Sequence, residues 1–294
     1  MKLSVQANNL ELLKEALGSN CHSVRFGSEF CEQLLASREE LEKAYEMTRQ
    51  ASRAFTFVTP RFSNAGIEKL RELLPLLDRM KEVSVVVNDF GALRLVEHHP
   101  DLCLHLGRHL ITVPARSPWV DTHMDMAGGG SLSVRGEWLR DLYATTSLNY
   151  EGTMALYREL DCQGVDLDWI PRMFPALSSL VQRGFRIAIH LYLVPVTFTR
   201  KCHMARFLGE ESPESCSKTC LHRAFSLENE VLTEAGLRFL LWGNAVFRYV
   251  EPSSKDIAVL EELGVSEAVL TMNPLTRIDS ADKINEIMSR LGLS

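Results

Sequence analysis

Short β-like runs alternate with stretches of helical period from the first residues onward, and this rhythm constrains the fold more than any other feature of the chain. The runs cover residues 3–6, 23–26, 55–58, 83–87, 102–106, 145–148, 165–167 and 185–192. Amphipathic segments at 10–17, 38–49, 65–80, 90–97, 152–160 and 174–182 separate most of them. Strand-length runs joined by helical connections are the mark of an α/β protein. Eight of them predict a TIM-barrel-like (β/α)8 fold, since eight parallel strands close such a barrel. An open doubly wound sheet produces a similar alternation.

Two regions depart from the rhythm. Residues 111–140 contain Pro114, Pro118 and three consecutive glycines at 128–130, which reads as a lid or an insertion. The glycines lack the lysine and hydroxyl of a phosphate-gripping loop and are expected to form a flexible turn. Beyond residue 200 comes a cysteine-rich loop, 200–222, then a β-rich extension at 231–250, a helix at 254–263, a strand-like run at 268–271 and a closing helix at 283–291. Without a low-complexity linker or strong repeat, residues 1–294 read as a single barrel-like domain. A hydrophobic content of 46% supplies a substantial core.

The opening residues do not read as a signal peptide, and no apolar run reaches membrane-spanning length, so a cytoplasmic location without a transmembrane segment is expected. Seven cysteines in that compartment suggest metal binding or chemistry rather than disulfides. The formal net charge of -6 argues against tight binding to duplex nucleic acid, which relies on basic phosphate contacts.

Cys202, Cys216 and Cys220 fall within one loop. Thiolates favour zinc, copper(I) or iron–sulfur clusters over hard oxygen-seeking ions. Three are one short of a tetrahedral set. Cys31 is the architectural candidate for the fourth, because Cys31 and Cys202 each follow a strand-like run, and loops after barrel strands gather at one face. His203 and His222 keep zinc open as the alternative. Cys21, Cys103 and Cys162 read as small packed hydrophobes.

The run Val24-Arg25-Phe26-Gly27-Ser28-Glu29-Phe30-Cys31, the run Val194-Pro195-Val196-Thr197-Phe198-Thr199-Arg200-Lys201-Cys202, and the pair Cys216-x3-Cys220 carry a family resemblance. Asp89-Phe90-Gly91, Gly107-Arg108 and Leu227-Glu228-Asn229 extend it over most of the chain. On these residues the chain resembles the collagenase-like peptidase family of unknown catalytic type, family thirty-two, and within it the branch of anaerobic ubiquinone biosynthesis. The resemblance implies a 4Fe-4S cluster on Cys31, Cys202, Cys216 and Cys220. It further implies oxygen-independent hydroxylation of a quinone precursor, with prephenate as oxygen donor and a UbiU-like protein partner. RNA-base hydroxylation, as in other branches, and a nonenzymatic iron–sulfur partner or scaffold are the alternatives. Peptidase activity is not expected, because Tyr192-Leu193-Val194-Pro195 stands near where the broader family carries a histidine-glycine pair.

Asn88, Asp89, Asp168 and Arg172 lie at strand ends and are candidates for holding a polar or carboxylated substrate. The bland reading makes Asp89 a helix cap and pairs Asp168 with Arg172. Glu29 suits either a pocket donor, a partner for Arg25 or a solvated turn, and His105 reads as structural. Arg200-Lys201 suits a phosphate or electron-transfer partner, or a solvated surface. No serine occupies a nucleophile turn, and the sequence names no general base.

Overall fold

The computed structural model describes residues 1–120, 124, 134–210, 212, 215–274 and 276–294. Eight parallel strands close into a barrel: β1 (Lys2–Ala7), β2 (Ser23–Gly27), β3 (Ala54–Val58), β4 (Val83–Val87), β5 (Cys103–Leu106), β6 (Gly164–Asp168), β7 (Arg186–His190) and β12 (Glu267–Thr271). Each pairs with its sequence neighbour in the barrel, and β12 sits between β7 and β1, with Lys2 opposite Glu267. The fold is therefore the expected TIM-barrel type, with helices interleaved between strands.

The β-rich extension is a separate antiparallel sheet. It comprises β8 (Tyr192–Phe198), β9 (Phe225–Leu227), β10 (Phe239–Trp242) and β11 (Ala245–Val250), in the order β8-β11-β10-β9. It is inserted between β7 and β12, so the chain returns to the barrel after building it.

Three local readings need correction. Residues 145–148 form no strand: Thr146 caps a short 3-10 turn, Ser147–Asn149, its hydroxyl accepting from the Leu148 amide and its own amide donating to Asn149 Oδ1 at 2.7 Å. Local side-chain bonds of this kind compete with a sheet ladder. The eighth barrel strand is β12 instead. The run 185–192 is split, because Tyr192 takes φ 65° and turns the chain out of the barrel into β8. Residues 231–250 open with a helix, Glu230–Glu234, before the β10–β11 hairpin. The glycine run at 128–130 lies outside the described residues.

Side chains alternate along each strand, and the two faces differ in chemistry. One set, including Val5, Phe26, Phe57, Val85, Leu106, Val165, Ile189 and Leu270, is buried and apolar, like Leu13, Leu41, Leu70, Leu177 and Ile284 on the helices. The other set carries Ser4, Gln6, Arg25, His105, Asp166, Asp168 and His190, all buried. These polar residues meet across the barrel interior. Among the described residues, no helix is long and apolar enough to cross a membrane.

Candidate functional site

The barrel interior is a lattice of buried charge. Arg25 on β2 reaches Asp166 on β6 at 2.6 Å and Glu267 on β12 at 3.0 Å. His190 Nε2 lies 3.0 Å from the same Asp166 carboxylate. Nearer the C-terminal ends of the strands, Arg108 donates to both Glu29 oxygens at 2.8 and 3.0 Å and to Asp168 at 2.9 Å. Arg116 holds the other Asp168 oxygen at 2.6 Å.

Burial acts against each of these charges, and the partners reverse its effect. Desolvation pushes the Glu29 carboxyl upward, but the charge and hydrogen bonds of Arg108 together with His190 outweigh it and hold the group at about 2. Asp166, beside Arg25, and Asp168, beside Arg116 and Arg108, are likewise held below the usual carboxylate range against desolvation. Burial lowers His105, and the Asp166 carboxylate only partly offsets it.

The place where a β/α barrel customarily works is the face formed by loops after its strands. Here the inserted sheet fills it. Leu193, Trp242 and Phe247 close over Gln6, Glu29 and Arg108, leaving a space of about 20 Å³.

A larger cavity, about 630 Å³, opens on the outer side of Phe30, between the loop after β2 and the cysteine-bearing segment. Cys31, Cys202 and Cys216 line it. Cys31 begins the short 3-10 turn Glu32–Leu34. Cys202 caps the helix His203–Phe207, its sulfur accepting from the Ala205 amide at 3.4 Å. Cys220 is buried in the 3-10 turn Thr219–Leu221, where the Trp242 indole donates to its carbonyl at 2.6 Å.

All seven cysteines are free thiols. Burial raises Cys31 to about 11, with Cys202 and Cys216 adding to the rise. Burial raises Cys220 to about 12, reinforced by Cys31, Cys202 and Cys216. The four sulfurs thus lie within one another's electrostatic reach. Among the described residues, no group of three or more His, Cys, Asp or Glu is arranged as a metal-holding set. Four soft thiols, three lining one cavity and Cys220 buried behind them, suit a cluster or zinc by their chemistry, and binding would draw protons off thiols that burial keeps protonated.

Cys202 follows β8 of the inserted sheet, and not a barrel strand as the rhythm suggested. It comes near Cys31 because β8 pairs with β11, and the β10–β11 hairpin presents Asn244 between the two segments. The Asn244 amide donates to the Phe30 carbonyl at 2.8 Å and the Thr199 carbonyl at 2.7 Å. Gly243 precedes it with φ 61°, the left-handed conformation a two-residue hairpin loop demands. A Gly-Asn pair between two apolar runs was a readable signal for this turn.

The four strand-end candidates lie elsewhere. Asn88 is buried, donating to the Thr59 carbonyl at 2.9 Å and accepting from the His109 amide. Asp89 caps the helix Phe90–Val96 through the amides of Gly91 and Ala92. Asp168 takes its ion pairs from Arg108 and Arg116, in place of the local pair with Arg172. Arg172 is exposed on the turn Pro171–Met173. None of the four lines the larger cavity. Arg61, Arg200, Lys201 and Arg206 do line it, together with Phe30 and Phe198.

Fold and site together define a β/α barrel whose mouth is covered by an inserted sheet, with a four-cysteine region shared between that insertion and the loop after β2. No family model matches the chain, and no curated protein matches it at a significant level. Among solved structures it is similar to the U32 peptidase Mk0906, at 12% identity over 93% of each chain with a TM-score of 0.45. It is also similar to thiamine phosphate pyrophosphorylase from Pyrococcus furiosus, at 8% identity over 97% of this chain and 96% of that one, with a TM-score of 0.41. Orotidine 5'-monophosphate decarboxylase from Sulfolobus solfataricus gives 9% identity over 98% and 99%, with a TM-score of 0.38. Similarity of this degree decides nothing about activity, and the barrel rests on its own strand pairing.

Proposed function

We propose that this chain is an iron–sulfur protein of an oxygen-independent hydroxylation system, similar to UbiV and acting with a UbiU-like partner. The observation that carries the reading is the gathering of four free thiols: Cys31, Cys202 and Cys216 line one open cavity, and Cys220 is buried within electrostatic reach of all three. These residues would hold a 4Fe-4S cluster, which supplies one-electron transfer when bound. With four protein ligands, no iron is left open for substrate, so substrate would be held by the cavity walls.

Those walls suit the proposed reactants. Phe30 and Phe198 offer flat apolar surface to a quinone precursor, while Arg61, Arg200, Lys201 and Arg206 offer positive charge to a carboxylated oxygen donor such as prephenate. The same mixture of aromatic faces and cations favours the second reading, hydroxylation of an RNA base, because bases stack on aromatic rings and phosphates meet arginine.

Anaerobically purified protein should contain about four iron and four sulfide per chain. Replacing Cys31, Cys202, Cys216 or Cys220 with alanine should strip the cluster, and replacing Cys103 should not. Stoichiometric zinc without iron or sulfide, after anaerobic reconstitution, would sink the reading. Cells lacking the protein then separate the functions. Loss of a hydroxylated quinone precursor, restored by the intact chain but not by Cys202→Ala, favours the first; loss of a hydroxylated nucleoside favours the second.

A further inference from the structure

Two side chains join the same two segments at two levels. At the lower level, Arg108 grips both oxygens of Glu29, two residues before Cys31, and donates from Nη1 to the Leu193 carbonyl on β8 at 2.8 Å. Its guanidinium also lies over the Phe30 ring, 5.7 Å from the centroid. At the upper level, Asn244 spends both amide hydrogens on the carbonyls of Phe30 and Thr199, the first just before Cys31 and the second three residues before Cys202. Arg108 and Asn244 are both buried. Between them they tie the segment 29–30 to the segment 193–199 by five hydrogen bonds.

We infer that Arg108 and Asn244 are the positioning residues of the cysteine site, setting the approach of Cys31 to Cys202. The inference rests on the four-cysteine reading above. A loop carrying one ligand and a strand leading to another must be held at fixed separation for both to reach one ion, and outer supports of this kind orient metal ligands. Arg108 suits the lower tie because its planar fork can serve a carboxylate with two donors and a carbonyl with a third, which the point charge of lysine cannot reproduce in the same geometry. Asn244 suits the upper tie because its amide offers two hydrogens to two acceptors, whereas an aspartate there would confront both carbonyls with negative charge. Asp168 completes the lower tie by accepting, at 2.9 Å, from the same Nη1 that donates to Leu193.

The test uses reduced, metal-free full-length protein under anaerobic conditions, with cobalt(II) as the probe. Thiolate-to-cobalt absorption bands report how many sulfurs reach one ion, independently of any activity. Arg108→Lys and Asn244→Ala should remain folded by circular dichroism while binding cobalt about 10- to 100-fold more weakly, the range for lost outer support. Their thiolate bands should fall at saturation, and iron–sulfide reconstitution should fall in parallel. Arg25→Lys is the control: it disturbs an equally buried ion-pair group that anchors no cysteine segment, and should leave cobalt affinity and spectrum unchanged. If Arg108→Lys does not fold, Asn244→Ala decides alone. A folded variant with wild-type cobalt affinity and spectrum overturns the inference, as does an equal loss in Arg25→Lys. A wild-type chain that takes up neither cobalt on thiolates nor a cluster overturns the four-cysteine reading itself, and the inference with it.

Discussion

The barrel mouth and the cysteine cavity share Phe30 as a wall and are built on opposite rules. In the mouth, every arginine is spent on a carboxylate, and Leu193, Trp242 and Phe247 leave about 20 Å³ of space. In the cavity, Arg61, Arg200, Lys201 and Arg206 surround about 630 Å³ and form no ion pair among the described residues. The acids there are already engaged, Glu32 with the Ser63 amide and Glu210 with Ser217. A barrel interior full of charge is thus not a sign of an open active site. Here it is closed framework, and the side chains free to meet a ligand lie one layer outward.

The largest expected effect tests the closed half of that contrast. Arg25→Met should destabilise the protein by about 3–5 kcal/mol, because it leaves the buried Asp166 and the partly buried Glu267 without their cation. Urea unfolding at neutral pH measures it through the midpoint. A loss below roughly 1 kcal/mol, the scale of a solvated pair, would mean that water enters the interior and that the mouth is not sealed.

Acid should reach the two regions in order. His109 is stacked on Phe198, with centroids 4.2 Å apart, and meets the tilted ring of Phe30 at 4.5 Å. Burial lowers its imidazole from 6.5 to about 3. The unfolded chain therefore takes up a proton as pH falls through 6.5, while the folded chain does not until about 3, so stability is lost on acidification across that window. The slope is roughly 1 kcal/mol per pH unit. Glu29 acts with the same sign lower down: its folded carboxyl sits at about 2 against 4.5, so its contribution is present above 4.5 and lost as pH falls toward 2. His109→Phe should flatten the upper part of the acid branch and leave the lower part, as read by urea midpoints across the series. An unchanged upper branch would show that the histidine is hydrated.

Gly66 offers a smaller test at the cavity edge. A Cβ there would come 2.4 Å from Glu32 Oε2 and 2.7 Å from Phe62 Cδ1. Gly66→Ala should cost about 1–3 kcal/mol, the range for overpacking, and should loosen the turn that Cys31 begins. Alkylation of Cys31 in the apoprotein, followed by mass spectrometry, should then quicken. An unaltered rate would place the Glu32 contact outside the control of the cysteine segment.

What was legible in the sequence follows the range of the forces involved. The barrel could be read because seven of its strands announce themselves locally, each a run of strand-favouring residues beside a helical stretch. The miscounted run at 145–148 failed on a local competitor, the Thr146–Asn149 cap, and β12 was seen as strand-like but not as the closing strand. The pairing of inward charges was not readable. Arg25 and Asp166 stand 141 residues apart, and only closure brings them together. Cys202, Cys216 and Cys220 were grouped by proximity in sequence, whereas the nearness of Cys31 depends on β8 turning out of the barrel at Tyr192 and on the Asn244 bridge. Asn88 and Asp168 looked like pocket residues because strand ends usually face a ligand. The inserted sheet removes that opportunity here.

The smallest expected effect is the sharpest test of the contrast, because it places the same residue type in the other region. Arg61 is exposed at the cavity rim, its guanidinium 5.5 Å from the centroid of the Phe198 ring, with no carboxylate partner among the described residues. An exposed contact of this kind contributes about 0.5–1 kcal/mol. Arg61→Ala should therefore shift the urea midpoint several-fold less than Arg25→Met, and the shift should shrink further in salt as the remaining rim charges are screened. A loss comparable with that of Arg25→Met would show that the rim arginine is framework like those of the barrel. The cavity cations could then no longer be counted as available to a ligand.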